Sequence, residues 1–270
     1  MKGGILIVGC GKMGGAMLEG WIDRGTAPQS IHVVEPNGET AEALKNRFGV
    51  NTHEGPAQLP EEFAPEVVVL AVKPQVMEDV LPDYKGFAQT GAVFLSIAAG
   101  KTIAFFEGLL GEEAAIVRTM PNTPAAIRRG MTVAVGNTLV SDRQKNLCTG
   151  LLEAVGMVEW IEDEALMDGV VAVSGSGPAY VFLLVEAMTQ AGVKTGLPEA
   201  FAAKLARQTV AGAGELLYRA DEQPGVLRQN VTSPGGTTEA ALKVLMAEGG
   251  LQPVVDAAIA AAARRSKELG

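Results

Sequence analysis

Histidine and cysteine are almost absent. The 270 residues include only His32, His53, Cys10 and Cys148 of these two types. Their positions show neither helical metal-ligand spacing nor a CxxC pair. The sequence therefore predicts no metal site and no disulfide framework, and the thiols fit a reducing compartment. Positive charge is also scarce: 22 Lys and Arg against 31 Asp and Glu give a net charge of −9. The longest basic runs are the dipeptides Arg128-Arg129 and Arg264-Arg265, far short of the patch a nucleic-acid partner requires. No uninterrupted apolar run reaches the ~18 residues of a membrane span. The first residues, Met1 to Ile5, run straight into a strand-like segment without a signal-peptide pattern. A soluble, cytoplasmic protein is the expectation.

Glycine, by contrast, is abundant: 33 residues, about 12% of the chain, where ~7% is usual. These glycines follow no collagen-like period and the charged content is ordinary, so neither a fibre nor a disordered chain is expected. The length suits one large domain or two small ones. A hydrophobic content of 47% is enough for a core without staples.

The first half alternates strand-like and helix-like segments. Strands are predicted at Ile5–Val8, Ile31–Glu35, Val67–Val72, Ala92–Ile97, Ala115–Thr119 and Met131–Val135. Helices are predicted at Lys12–Arg24 and Glu39–Phe48, the latter closed by Gly49 as a C-cap. This alternation predicts an α/β fold with a parallel, doubly wound sheet. From Glu162 onward no strand pattern remains, and helices are predicted at Pro178–Lys194, Pro198–Arg219, Thr237–Met246 and Gln252–Leu269. The expected organisation is a dinucleotide-binding domain over 1–161 and an all-α domain over 162–270. One helix carries Tyr180-Val181-Phe182-Leu183-Leu184-Val185, apolar on every side. Such a helix is buried all round. A helical half of roughly 110 residues is too small to cover it, so a second copy of the chain is expected to.

Gly9-Cys10-Gly11-Lys12-Met13-Gly14 matches G-x-G-x-x-G between a predicted strand and a predicted helix, the context a dinucleotide loop requires. Gly9 permits the tight turn, Gly11 lets the backbone approach a pyrophosphate, and Gly14 lets helix and strand pack closely. The pyrophosphate then rests on the helix N-terminus. Glu35, followed by Pro36 and Asn37, ends the second strand about 20 residues after the loop, where an acidic side chain bonds the adenine ribose and repels a 2′-phosphate. Taken alone it favours NADH. A plain surface carboxylate is the other reading, and Lys12 and Arg47 offer charge to a phosphate, so NADPH and NADH both stay open. Ala71-Val72-Lys73-Pro74 and Ile97-Ala98-Ala99 end two further strands at the edge where ligands bind in open α/β sheets. Lys73 is placed at that crevice unless it is simply a solvated lysine.

Two small-residue turns stand out in the second half. Ser174-Gly175-Ser176-Gly177-Pro178 leads into the apolar helix. Its serines read as caps rather than nucleophiles, since the spacing is not G-x-S-x-G and no histidine is near. Thr232-Ser233-Pro234-Gly235-Gly236-Thr237-Thr238 precedes a later helix. It offers N–H groups and hydroxyls at a positive helix end and suits a small carboxylate. An ordinary capped helix start gives the same pattern.

Together with Ala71–Pro74 and Arg118-Thr119-Met120-Pro121-Asn122-Thr123-Pro124, these two turns resemble the pyrroline-5-carboxylate reductase family, over nearly the whole chain. The resemblance implies hydride transfer from NAD(P)H to C5 of the cyclic imine Δ1-pyrroline-5-carboxylate, giving L-proline in the last step of proline synthesis. It implies a Rossmann domain and a helical dimerisation domain whose helices interlock between subunits. The active site then lies between one subunit's nucleotide domain and its partner's helices. Many relatives assemble further into a decamer, a ring of five dimers. Residue by residue, the resemblance implies that Thr238 faces the ring nitrogen and polarises the imine or relays a proton. Lys73 positions the cofactor or a water. Backbone N–H groups of Gly236, Thr237 and Thr238, with Ser233 nearby, hold the substrate carboxylate. Glu164 and Asn230 line the substrate site, although Glu164 reads equally as helix-end charge. Asn122 falls with the cofactor-binding segments. Relatives that use NADPH often carry Ser, Asn or Arg where this chain has Glu35-Pro36-Asn37, which brings NADH use forward here.

Two other functions share parts of the pattern. A β-hydroxyacid dehydrogenase would use Lys194 or Lys204 as acid and base, but leaves the Thr232–Thr238 turn without a purpose. A non-catalytic dinucleotide-binding module would assemble through the helical half, but needs no carboxylate cradle.

Overall fold

The computed structural model describes residues 3–269. Eight strands form one sheet: β1 Gly4–Val8, β2 Ile31–Val34, β3 Asn51–His53, β4 Pro65–Leu70, β5 Val93–Ser96, β6 Ala115–Met120, β7 Gly130–Gly136 and β8 Gly156–Trp160. Their spatial order is β3-β2-β1-β4-β5-β6-β7-β8. The first six strands are mutually parallel and follow the Rossmann order. Helices α1 Lys12–Asp23, α2 Gly38–Phe48, α3 Met77–Val80, α4 Gly86–Gln89, α5 Ile103–Leu110, α6 Asp142–Leu152 and α7 Met167–Val170 accompany the sheet. The remaining helices are α8 Gly177–Lys194, α9 Glu199–Arg219, α10 Pro224–Asn230, α11 Thr237–Leu245 and α12 Leu251–Leu269.

The central strands β1, β4 and β5 are apolar at most positions because both faces of the sheet are covered there. Alternate residues separate into two cores. Ile5, Ile7, Val67, Val69, Val93 and Leu95 pack with Met17, Leu18 and Trp21 of α1 and with Leu151 and Leu152 of α6. Leu6, Val8, Val68, Leu70 and Phe94 face the other way, onto Met77, Leu81, Tyr84, Phe106 and Leu110. Each such side chain contributes about 1.5–3 kcal/mol by leaving water. The buried Trp21 indole N–H finds its acceptor in the Leu151 carbonyl at 2.7 Å, fixing α1 against α6.

Several expectations need correction. The sheet is not wholly parallel: β7 runs antiparallel to β6, and β8 pairs parallel with β7. A short β-branched run such as Thr132–Val135 carries no sign of its direction. Strands β3 and β8 lie outside the predicted set. β3 is three residues of polar Asn-Thr-His, and β8 has a half-exposed face at the sheet edge. Helices α3 to α7 and α10 are also additional.

The chain divides into two compact units. One holds the described residues through Gly175 together with those from Ala263 on; the other is Ser176–Ala262. By packing, the two units divide between Gly175 and Ser176. Residues 164–175 pack on the nucleotide unit: Met167 is buried in its second core, and Gly175 lies against the Met120 side chain.

In the second unit α8 and α9 pack together along their length. The apolar surface of α8 is open in the single chain, with Phe182 and Leu183 both 62% exposed. Contrary to the expectation from uninterrupted runs, the helical stretch Glu164–Lys194 has an 18-residue window of mean hydropathy 1.6, long and apolar enough by composition to cross a membrane. Alanine, valine and leucine raise the average although Gly, Ser and Pro interrupt the run.

Candidate active site

Three chain turns line up at the carboxyl edge of the sheet. The Gly9 N–H donates to Val34, that of Ala71 to Val8, and that of Ile97 to Leu70. The glycine loop, the Ala71–Pro74 turn and the Ile97–Ala99 turn thus continue the ladder of β2, β1, β4 and β5. Pro74 opens a single 3-10 turn, as its position predicts, and Lys73 is its exposed N-cap.

The loop glycines occupy three different environments. Gly9 has a φ of 77°, and a Cβ there would come within 2.6 Å of the Val72 side chain. A Cβ on Gly14 would sit 3.3 Å from Ala71, the tight helix–strand contact expected of the third glycine. A Cβ on Gly11 would meet no atom within 4 Å. Gly11 is the N-cap of α1 and no side chain caps the helix, so the first-turn N–H groups at Lys12 and Met13 face outward unclaimed. This cradle fits a dinucleotide pyrophosphate. Burial and the nearby Glu35 charge push the Cys10 thiol up to about 12, so it stays protonated and is no nucleophile.

Glu35 is held beside this loop. One carboxylate oxygen accepts the Cys10 N–H at 3.1 Å and the other the Asn37 N–H at 3.1 Å. Asn37 in turn caps α2 through Thr40.

A cleft of about 400 Å³ opens at the same edge, lined by Pro74, Gln75, Ala99, Gly100, Lys101, Val171, Ser266 and Leu269. A larger hollow of about 480 Å³ lies at the opposite edge, beside Gly3, Pro65 and Gly91. The amino ends of parallel strands carry no ligands in such folds, so the smaller cleft is the relevant one.

The second glycine turn lies in the other unit. Gly235 has a φ of 72°, and a Cβ on Gly236 would lie 2.5 Å from Ser233 Oγ. The Gly236 N–H is taken by the Ser233 carbonyl at 3.0 Å and is not available to a ligand. Helix α11 has no side-chain cap, and its internal ladder begins only with Ala240 donating to Gly236. The N–H groups of Thr237, Thr238 and Glu239 are left at the helix start. The Glu239 carboxylate is drawn away from them, onto the Gly235 N–H at 2.8 Å and toward Lys243. Asn230 ends α10, exposed, shortly before this turn.

Two of the predicted site residues have internal work in the nucleotide unit. Glu164 accepts from Arg118 at 2.6 Å and from the Ile103 N–H at 2.9 Å, the first residue of α5. It therefore serves as helix-end charge and neutralises an arginine whose side chain is only 7% exposed. The Asn122 amide donates to the Ser174 carbonyl at 3.1 Å and accepts the Met131 N–H at 2.9 Å. Among the described residues no three His, Cys, Asp or Glu side chains gather as a metal site needs.

A Rossmann sheet with an uncapped glycine loop, joined to a helical unit, defines a dinucleotide-dependent oxidoreductase. Comparison with known proteins narrows this. Residues 164–269 match the family model for pyrroline-5-carboxylate reductase dimerisation, and residues 4–100 match one described as NADP oxidoreductase, coenzyme F420-dependent. A pyrroline-5-carboxylate reductase of Pseudomonas aeruginosa is 40% identical over 265 residues, spanning 98% of this chain and 96% of its own. The structure of a pyrroline-5-carboxylate reductase from Coxiella burnetii superposes with a TM-score of 0.93 at 38% identity, covering 100% of this chain and 99% of that one. A Plasmodium falciparum pyrroline carboxylate reductase, solved with NADP bound, gives 0.79 at 30% identity over 99% and 98% of the two chains. The chain belongs to the pyrroline-5-carboxylate reductase family. It is an oxidoreductase of proline biosynthesis with an NAD(P)-binding domain and a helical dimerisation domain, and it forms a homo-oligomer. The apolar stretch noted above falls entirely within the dimerisation region.

Proposed function

We propose that the Thr232–Thr238 turn holds the carboxylate of Δ1-pyrroline-5-carboxylate and that Thr238 faces its ring nitrogen. The glycine loop and the carboxyl edge of β1, β4 and β5 hold the dinucleotide. When bound, NAD(P)H supplies the hydride that reduces the imine carbon. The observation that carries the substrate assignment is the uncapped start of α11, with the N–H groups of Thr237, Thr238 and Glu239 aligned and Gly236 pressed against Ser233. Such a helix end binds a small anion without a lysine. Ser233 adds a hydroxyl at the rim, and exposed Asn230 is close in sequence.

A threonine hydroxyl is too weak an acid to protonate an imine outright. The substrate therefore reacts as the iminium protonated from water, and Thr238 Oγ1 accepts the ring N–H and orients the ring. An iminium is already electrophilic, so orientation supplies much of the rate. Lys73, exposed at the end of β4, lends positive charge at the cofactor edge. Glu35, held against the loop at Cys10, favours a free ribose hydroxyl over a phosphate, and NADH is used well.

Thr238→Ala is expected to lower kcat for imine reduction by about 10²-fold, the scale of a lost orienting or proton-transfer group. Unchanged turnover, with loss on Lys194→Ala instead, contradicts this assignment.

The open apolar surface of α8 supports an interlocked dimer, and five such dimers make a ring in a cytoplasmic enzyme. Light scattering is expected to give ten times the chain mass. A two-chain mass removes the ring, and a one-chain mass removes the dimer as well.

A further inference from the structure

Ser266 is a buried polar residue, 7% exposed, near the end of α12. Its hydroxyl donates to Asp168 Oδ1 at 2.7 Å, across 98 positions of sequence. Asp168 belongs to α7, and Val171 follows it by one turn. Three residues beyond Ser266, the Leu269 carbonyl lies 3.5 Å from where a Cβ on Gly100 would sit, so the last turn of α12 rests on the turn after β5.

These contacts build one wall of the 400 Å³ cleft. Pro74, Gln75 and Ala99 line it together with Val171, Ser266 and Leu269. One end of the hydrogen bond anchors the segment carrying Val171, and the other anchors the turn carrying Leu269. The last turn of a helix lacks onward backbone bonds to hold it. The Arg265–Glu268 pair of this turn is internal to the helix and does not tie it to the sheet.

We infer that Asp168 and Ser266 are a positioning pair that sets the width of the cleft receiving the nicotinamide end of the dinucleotide. This rests on the assignment of the carboxyl edge to the dinucleotide. Without the bond the Leu269 turn swings off Gly100 and the cofactor's reacting end is held less closely. Cofactor affinity then falls more than turnover at saturation.

The test measures KM for NADH and NADPH, kcat and oligomer mass for the full chain and for Asp168→Ala, Ser266→Ala, Asp168→Asn and Ala99→Leu. Asn keeps an Oδ1 acceptor for the Ser266 hydroxyl, and Ala99→Leu fills the cleft itself. Asp168→Ala and Ser266→Ala are each expected to raise cofactor KM at least about threefold with kcat within about twofold and mass unchanged. Asp168→Asn is expected to stay close to the parent. Cofactor KM unchanged in both alanine variants while Ala99→Leu raises it overturns the positioning role and leaves the cleft assignment standing. No change in any variant overturns both. Loss of kcat together with loss of oligomer, or Asp168→Asn behaving like Asp168→Ala, also overturns it. Should Asp168→Ala fail to fold, Ser266→Ala removes the same bond and decides alone.

Discussion

The Glu35 carboxylate reaches from the end of β2 to accept the Cys10 N–H of the glycine loop at 3.1 Å. This contact ties the acidic residue to the glycine loop, so its charge is fixed beside the turn proposed to cradle the pyrophosphate.

Cofactor choice follows. With the parent chain, kcat/KM for NADH is expected to be at least comparable to that for NADPH. An excess of more than about tenfold for NADPH contradicts the role of Glu35. Glu35→Gln keeps an acceptor for Cys10 and removes the charge. It is expected to shift the NADPH-to-NADH ratio upward by about tenfold, on the order of 1.4 kcal/mol, the scale of one partly screened charge pair.

Glu164→Ala leaves Arg118 buried without its carboxylate and α5 without the acceptor at Ile103. A stability loss of about 2–3 kcal/mol is expected, at the low end for a broken buried pair because Glu164 is partly solvated. Urea denaturation reads this, alongside imine KM. Preserved stability with a raised imine KM would make Glu164 a substrate contact instead of a structural one.

The chain's two histidines meet at the β2–β3 edge. His32 Nδ1 and His53 Nε2 share a hydrogen bond of 2.9 Å, and Phe63 stacks on His32 at 4.0 Å between ring centroids. Burial lowers both imidazoles from the ordinary value of 6.5, and the neighbouring His53 lowers His32 further. As pH falls through 6.5 the unfolded chain takes up these protons first, so stability declines on the acid side of that value and is regained above it. Protonating both rings also removes their shared bond. The urea midpoint should drop between about pH 7.5 and about pH 5, and His53→Gln should flatten that drop. An equal drop in both proteins contradicts the assignment.

Much of this organisation is legible in the sequence because the relevant signals are local. Gly9 and Gly14 announce the loop since each meets a separate steric demand within six residues, while Gly11 leaves the helix start open. The runs Val67–Leu70 and Val93–Leu95 announce themselves because burial on both faces leaves no polar position. Where the cause is distant, the sequence is silent. Nothing near Glu164 indicates Arg118, 46 positions away, and Ser266 gives no sign of Asp168. The Gly236 N–H looks free in a string of letters, yet the turn closes it onto Ser233. β8 escapes notice because an edge strand with a wet face needs only weak alternation, and the direction of β7 is set by its pairing with β6.

The central claim is that this chain reduces a cyclic imine carrying a carboxylate. The most direct measurement is dinucleotide oxidation by the purified chain, with and without pyrroline-5-carboxylate, and with product analysis. Oxidation that depends strictly on the added imine, with one proline formed per dinucleotide consumed, is the predicted result. Dinucleotide binding without turnover, or turnover supported by a keto acid but not by the imine, would contradict it.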